Sequence, residues 1–551
     1  MASSISQETP PIVIRFESLS RRYSILQSTI VFTPIDWLLA SLPILTVLIL
    51  MLRFHWSGAK AGMTGWIVAL LLAAFRFGAG WLMLASAQLK GLLLTLFVLY
   101  ITWAALLLYR VTDEAGALSA IGAGLPRLTP DRGLQVLLLG WIFGAFLQGV
   151  SGFGVPVAVV APLLVGLGFP PMAAVVIASV GHSWAVTFGS LGSSFYALIA
   201  ATGRSGEELA PWSAVMLGLA CLGCGAGTLW AAGGRRTVRE GLVPLLVIGS
   251  AMAGSQFLAV THGLWTIGGM VGGLVGLAVG VVWARVEHGS AGFTGRASEP
   301  SSPAHGMPLG WALFPYILLV GIVLSAQLIP PVRDFLGQVV ICIQFPKLTT
   351  ARGWEIEAGP GRTINIFGHA GALLAYAAII TYVVFRTRGY YSPGTVRRIG
   401  RTVVQKAAQS SLGIAAMVGM AVTMEHAGMT HLLADGLARV AGPAFPIVAP
   451  FIGVLGAFMT GSNTNSNVIF GNMQQHVAML VGVSPLIILA AQTAGGAVGS
   501  MFAPAKVIVG CSTVELGGQE GPVLQATMRY GVAIVIGIAL TTMGAVCLWG
   551  R

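Results

Sequence analysis

The sequence predicts an all-α polytopic membrane protein with about 12 to 14 transmembrane segments and two repeated units that contain broken or re-entrant helices. Three observations carry that prediction. Of 551 residues, 56% are hydrophobic and only 9% charged, and mean hydropathy is +0.84, a balance outside the range of soluble domains. Apolar runs of roughly 20 residues, enough to cross a bilayer as a helix, recur along the chain. Inside one of them lies GAFMTGSNTNSN, Gly456 to Asn467, where glycines stand beside clustered Ser, Thr and Asn. A membrane helix can release backbone hydrogen bonds only where protein or a water-filled cavity satisfies them, so this stretch reads as a helix broken at a binding cavity.

The same opening occurs earlier, in GAFLQGVSGFGVPV from Gly144 to Val157. Val165, Gly166, Pro170 and Pro171 then parallel Val481, Gly482 and Pro485, and Gly189, Gly192, Ser193 and Phe195 parallel Gly496, Gly499, Ser500 and Phe502. Three colinear matches point to two copies of one unit.

In chain order, residues 1–35 form an N-terminal tail, with a short surface helix expected around Ile25 to Phe32. No cleavable signal peptide is visible, and insertion is expected to use the first apolar run. Residues 36–133 hold spans near 37–53, 62–84 and 91–109 and then a loop; Arg76 is read as a snorkelling cation. The first repeat occupies 134–200. Central spans follow over 201–329, with a Ser/Pro/Gly-rich linker at 285–308; one span carries Gly268, Gly272, Gly276 and Gly280 on a single face for close approach to a neighbour. Residues 330–365 are the one sizeable polar excursion, 366–444 hold further helices around a loop at 386–406, the second repeat spans 445–510, and 511–551 ends in a final helix.

The net charge of +12 comes largely from Lys and Arg in short loops beside apolar runs, where it reports orientation and not nucleic acid. Arg235, Arg236 and Arg239, the linker at 285–308, and Arg386 to Lys406 all fall on one side by strict alternation, expected to be cytoplasmic, which leaves 330–365 outside. Cys221 and Cys224 form a CxxC within an apolar segment with no second pair or His cluster nearby, and are read as packing residues.

There is no GxxxxGK[ST] phosphate cradle, no HExxH and no paired Cys/His pattern, so neither ATP drive, a catalytic group, a resident metal nor a cofactor is expected. Repeated units with broken helices point instead to a secondary transporter that holds its substrate near the membrane midplane. Helix N-termini, hydroxyls and amides with one nearby cation suit a small anion. The second unit offers Ser462, Asn463, Thr464, Ser466 and Asn467; the first offers Gln148, Gly149, Ser151, Gly152 and Ser193; Lys506 is the candidate cation, with a snorkelling or helix-end position as its alternative use.

These residues resemble the bacterial L-lactate permease family of lactate and glycolate transporters. The resemblance rests on GAFLQGVSGFGVPVAVVAPLLVGLGFPP at 144–171, FGSLG at 188–192, HAGMTHLLADGLARVAG at 426–442 and GAFMTGSNTNSNVIFGNMQ at 456–474. It implies uptake of L-lactate or another small 2-hydroxymonocarboxylate with a coupling proton, by a multi-pass protein of the bacterial inner membrane whose partners are that carboxylate and the lipid bilayer. The sequence also departs from the family pattern. Gln148 and Asn463 stand where a Glu and an Asp are common, and HSWAVTFG from His182 to Gly189 stands where NTAPVAFG is usual. Both carboxylates are thus replaced by amides. His182, Glu425 and Asp435 remain as proton-coupling candidates, His182 with the alternative use of an interhelical hydrogen bond. Carriage of a different organic anion, Na+ coupling or uncoupled transport stays open on the same grounds.

Overall fold

The structure, a computed structural model, describes residues 34–54, 56–124, 129–151, 154–288, 307–516 and 519–549. The surface helix expected before residue 33, Gly152 and the middle of the 285–308 linker lie outside the described residues. Among those described, 11 helices are long and apolar enough to cross a membrane, or up to 13 if each bent pair is one span.

The chain opens with α1 (Pro34–Leu52), α2 (Gly58–Phe75), α3 (Trp81–Glu114) and the short α4 (Ala117–Gly124). Helix α2 ends earlier than its apolar run suggests, because the chain turns at Gly78, whose φ of +71° suits glycine. Arg76 is not a snorkelling cation: its guanidinium pairs at 2.8 Å with Asp36, which is fully buried.

The first repeat starts at α5 (Arg132–Val136), capped by Asp131, which accepts from Leu134 N at 2.6 Å. It continues through a π-helical stretch, Leu137–Phe143, into α6 (Gly144–Val150). After a break come α7 (Val155–Gly166), α8 (Pro171–His182), an irregular stretch with two 3₁₀ turns, and α9 (Ser193–Thr202). Helix α10 (Gly206–Glu240) begins with a Ser205/Glu208 capping box and loses helical geometry at Gly233 and Gly234; α11 (Leu242–Thr261) and α12 (Gly268–His288) follow. The glycine face of α12 does bring it close to its neighbours: a Cβ on Gly272 would stand 3.2 Å from Trp184, and one on Gly276 2.6 Å from Met252.

Beyond α13 (Leu309–Leu328) and α14 (Pro330–Leu336), the polar excursion is one interrupted β-hairpin. Strands β1 (Val340–Ile341), β2 (Gln344–Phe345) and β3 (Leu348–Thr349) pair antiparallel with β6 (Ile364–Asn365), β5 (Gly359–Pro360) and β4 (Glu355–Ile356) respectively. This ribbon lies against the start of α3: Ala351 N donates to Gly78 O at 2.8 Å, and Arg352 reaches Asp36 at 3.1 Å. Next come α15 (Ala370–Thr387), α16 (Thr395–His426) and α17 (Met429–Ala441). The second repeat is α18 (Phe445–Thr460), α19 (Asn463–Val481), α20 (Pro485–Gly499), a 3₁₀ turn and α21 (Pro504–Thr513), and α22 (Glu520–Trp549) closes the chain.

Two bundles result. One joins α1–α3 with α15 and α16; the other surrounds the repeats with α10–α12 and α22. They meet where α16 and α17 pack on α19 and where α3 packs on α9.

The repeats are inverted. In the first, Arg132 Nη2 donates to Leu167 O and Gly168 O at 3.1 and 3.0 Å, so the strand of chain that enters at α5 and leaves α7 returns to the same end. That end is shared with Thr237 near the close of α10, which packs by Gly133. In the second, α18 and α19 form an antiparallel pair in which Gln474 Nε2 donates to Ala449 O at 3.0 Å. Its mouth lies at the opposite end, where the His476 ring packs at a tilt against His431, and His431 against Trp354 of the ribbon. Each unit is therefore a re-entrant hairpin followed by a broken span, the first opening at the arginine-rich end and the second at the ribbon end.

Candidate functional site

The breaks of both repeats meet in the centre. Gly461, at φ +71°, ends α18, and Ser462 caps α19 by accepting from Asn465 N at 3.4 Å. In the first unit Ser190, Leu191 and Gly192 all take positive φ before α9 starts, a run that two non-glycine residues adopt only under constraint from their surroundings. The N-termini of α9 and α19 thereby lie side by side: Ser194 Oγ and Thr464 Oγ1 are 3.1 Å apart, and Asn467 Nδ2 donates to Ser194 O at 2.9 Å. Both helices then run towards the ribbon end, where Gln475 Nε2 donates to Thr202 O at 3.2 Å. Their first N–H groups and dipoles face the centre, the arrangement that favours an anion.

Asn463 ties the units together. Its Nδ2 donates to Thr187 Oγ1 at 3.1 Å and to Thr493 O and Oγ1 at 3.2 and 3.3 Å, while Asn467 Nδ2 reaches Thr493 Oγ1 at 2.9 Å. The side-chain oxygens of Asn463, Asn465 and Asn467 are buried and accept no hydrogen bond from the protein. Around them, Ser466 Oγ donates to Gly453 O at 2.8 Å, Gln492 Nε2 donates to Ser466 Oγ at 3.0 Å, and Gln474 bonds Gln492. Thr493, Gln492 and Gln474 are central to this network yet were not singled out by sequence; Gln492 and Thr493 are an isolated polar pair in an otherwise apolar α20, Gln474 is one of several polar residues on α19, and only the helix pairing shows what they face.

The other expected residues divide. Gln148 is buried at the end of α6 and its Nε2 lies 3.4 Å from Ser190 Oγ, with Oε1 unpartnered. Ser193 is buried as the first residue of α9. The Ser151 hydroxyl bonds within its own helix, to Leu147 O at 2.6 Å. Gly149 serves packing, since a Cβ there would stand 2.6 Å from the backbone of Met270 on α12. Lys506, near the start of α21, donates to Ser500 Oγ at 3.1 Å and faces His182 electrostatically. His182 makes no interhelical bond: Nδ1 meets Ala178 O of its own helix at 2.7 Å, and Nε2 is buried without a partner.

Neither repeat contains an Asp or Glu. Glu425, at the end of α16, lines a small cavity together with Asn472 of α19, Leu94 of α3, Ala201 and Val468, with the opposite charge of Lys90 nearby on α3. Asp435 is half-exposed on α17 and pairs with Arg439 at 2.9 Å, one turn further along the same helix. The CxxC pair sits in α10, where Cys224 Sγ lies 3.2 Å from Ser183 Oγ.

Comparison with known proteins supplies the family. The model of the L-lactate permeases matches residues 36–549. The chain belongs to the L-lactate permease family. The permease is 29% identical to the L-lactate permease of Bacillus subtilis, over 94% of its own length and 98% of that protein. It is 28% identical to the L-lactate permease of Escherichia coli, covering 93% and 96%. It is likewise 28% identical to the glycolate permease of Escherichia coli, covering 91% and 94%. It is therefore a transporter and not an enzyme, and a multi-pass integral membrane protein.

Proposed function

We propose that the protein takes up L-lactate or a related 2-hydroxymonocarboxylate, D-lactate or glycolate, by proton symport. The observation that carries this reading is the meeting of the α9 and α19 N-termini at Ser194, Thr464, Asn463 and Asn467, a cradle of amides, hydroxyls and N–H groups for a carboxylate and its 2-hydroxyl. The names of the curated relatives, lactate and glycolate permeases, support the same substrate class. The ribbon end faces outward, because the arginine-rich loops at the other end follow the positive-inside rule.

The proton carrier in this reading is Glu425. Its carboxylate lines the same small cavity as Asn472, at the boundary between α16 and α19. Protonation removes the charge that faces Lys90 at this boundary, freeing α19 to move relative to α16.

The three unpartnered Asn oxygens support a second reading, Na+ coupling, with those oxygens as cation ligands. Uptake of labelled L-lactate into proteoliposomes separates the two. Stimulation by an inward proton gradient, lost in Glu425→Gln, supports symport; stimulation by Na+ alone supports the second; absence of uptake by folded protein rejects lactate as substrate.

A further inference from the structure

Where the ribbon meets α3, two buried N–H donors lack acceptors. Arg362 follows Gly361, whose Cβ position is closed by Phe345 at 2.6 Å and Leu93 at 2.9 Å, so the ribbon is seated tightly on the helix at this point. The Arg362 guanidinium lies 4.2 Å from the centroid of Phe97, and its Nε is buried with no hydrogen-bond partner. No carboxylate among the described residues pairs with it. His369, 6% exposed, meets the same Phe97 ring edge-on with centroids 4.6 Å apart and stacks on Tyr100 at 4.9 Å. Its Nδ1 accepts from Gly371 N at 3.2 Å, so in the neutral imidazole the proton sits on Nε2. That N–H is also buried without a partner.

A partly buried cation and two buried orphan donors are costly unless something accepts from them. We propose that Arg362 and His369 form a docking site for the carboxylate of a small aliphatic monocarboxylate, with Phe97 and Tyr100 against its alkyl end. A carboxylate fits on three counts: it is an acceptor only, it neutralises the guanidinium, and its two oxygens take two donors. The site adjoins α9 through Tyr196, whose ring packs edge-on against Phe97 at 6.1 Å and which lies two residues from Ser194 of the central cradle. It therefore stands between the ribbon and the cradle, as a first station for the anion. Burial holds the His369 imidazole down to about 4, with Arg362 adding to the effect, so across neutral pH the ring stays neutral, with Nδ1 accepting from Gly371 N and the proton on Nε2.

The proposal rests on the reading of the substrate as a small carboxylate, and its test separates the two. Saturation-transfer NMR on the purified full chain detects weak binding through the methyl protons of acetate and L-lactate. Asn463→Ala, which disables the cradle, is expected to retain a methyl signal. Adding Arg362→Gln is expected to reduce that signal at least five-fold, and His369→Asn, which keeps an acceptor for Gly371 N, at least two-fold. In uptake by the otherwise native chain, Arg362→Gln is expected to raise KM at least ten-fold with kcat within two-fold. An unchanged NMR signal and unchanged KM in folded Arg362→Gln overturn the site. If that variant does not fold, unchanged signals in Arg362→Lys and His369→Asn overturn it. A chain that binds both carboxylates through Arg362 but fails to carry lactate refutes the transport reading and leaves the site standing.

Discussion

Asn463 gives the sharpest expectation at the scale of single residues. Its amide nitrogen joins Thr187 of one repeat to Thr493 of the other, so Asn463→Ala leaves buried acceptors exposed to nothing, a loss of about 1–3 kcal/mol. Uptake is expected to fall more than ten-fold at normal membrane abundance. Gly272→Ala is the matched control: its methyl would meet Trp184, Met252 and Gln256 and none of the cradle's polar groups, and uptake is expected to stay within two-fold. Equal losses in the two variants would make the motif a packing device. Gly496→Ala should resemble Asn463→Ala, because its methyl would collide with Asn463 Oδ1. The residue types at this site were legible in the sequence, since glycines beside Ser, Thr and Asn have few other uses in an apolar run. The partners were not: Thr187 and Thr493 are 306 positions apart and only folding brings their hydroxyls to 3.2 Å.

The ribbon shows what elements contribute beyond their own sequence. Its strands are two residues each, too short to predict from alternation, and it is held by what it touches: Asp36 joins Arg76 of the α2–α3 turn to Arg352 of the ribbon at 2.8 and 3.1 Å. Asp36→Asn is expected to cost up to about 3 kcal/mol by leaving two guanidinium groups around a neutral side chain, a figure kept at the low end because Arg76 is 43% exposed. The readout is a lower melting temperature together with faster hydrogen exchange in 340–365 than in α18. His369, at the base of the ribbon, adds a pH dependence. Its folded value of about 4 lies below the ordinary 6.5, so between these values the unfolded chain binds the proton more readily. Stability from this group is complete above about 6.5 and is lost as pH falls towards 4. The fall in melting temperature between pH 7.5 and 4.5 should be smaller in His369→Phe; an equal fall would assign the acid sensitivity elsewhere. The same limits govern the repeats. Their breaks were readable, but their opposite orientation was not, because it depends on how many times the chain crosses between them; the bonds from Arg132 to Leu167 and Gly168 show where the first hairpin opens, and those joining Ser194 to Thr464 and Gln475 to Thr202 show that the second opens at the other end.

Across the whole molecule, the two bundles differ in how their contacts are made. Within the second repeat, α18 and α20 touch backbone to backbone: a Cβ on Gly499 would stand 2.6 Å from Val454, and Gly453 and Gly495 are equally closed by Gln492 and Pro450. Such an interface has one arrangement. The boundary between α16 and α19 is of another kind, lined by Met420, Met424 and Met473 around small cavities, where flexible thioethers can repack. Inverted units opening at opposite ends, joined rigidly inside and softly outside, are suited to moving as one body past α16 and α17 so that the central site faces each side in turn. A cross-link test follows in a background with the five native cysteines replaced. Cysteines at Ala421 and Ile469, which line the same cavity from α16 and α19, are expected to abolish uptake when bridged by a short thiol-specific reagent and to restore it on reduction. A bridge between cysteines at Val454 and Val498, inside the repeat, is expected to leave at least half of the uptake. If the first bridge is harmless and the second is not, the moving boundary lies within the repeat, and the hairpin itself is the part that opens.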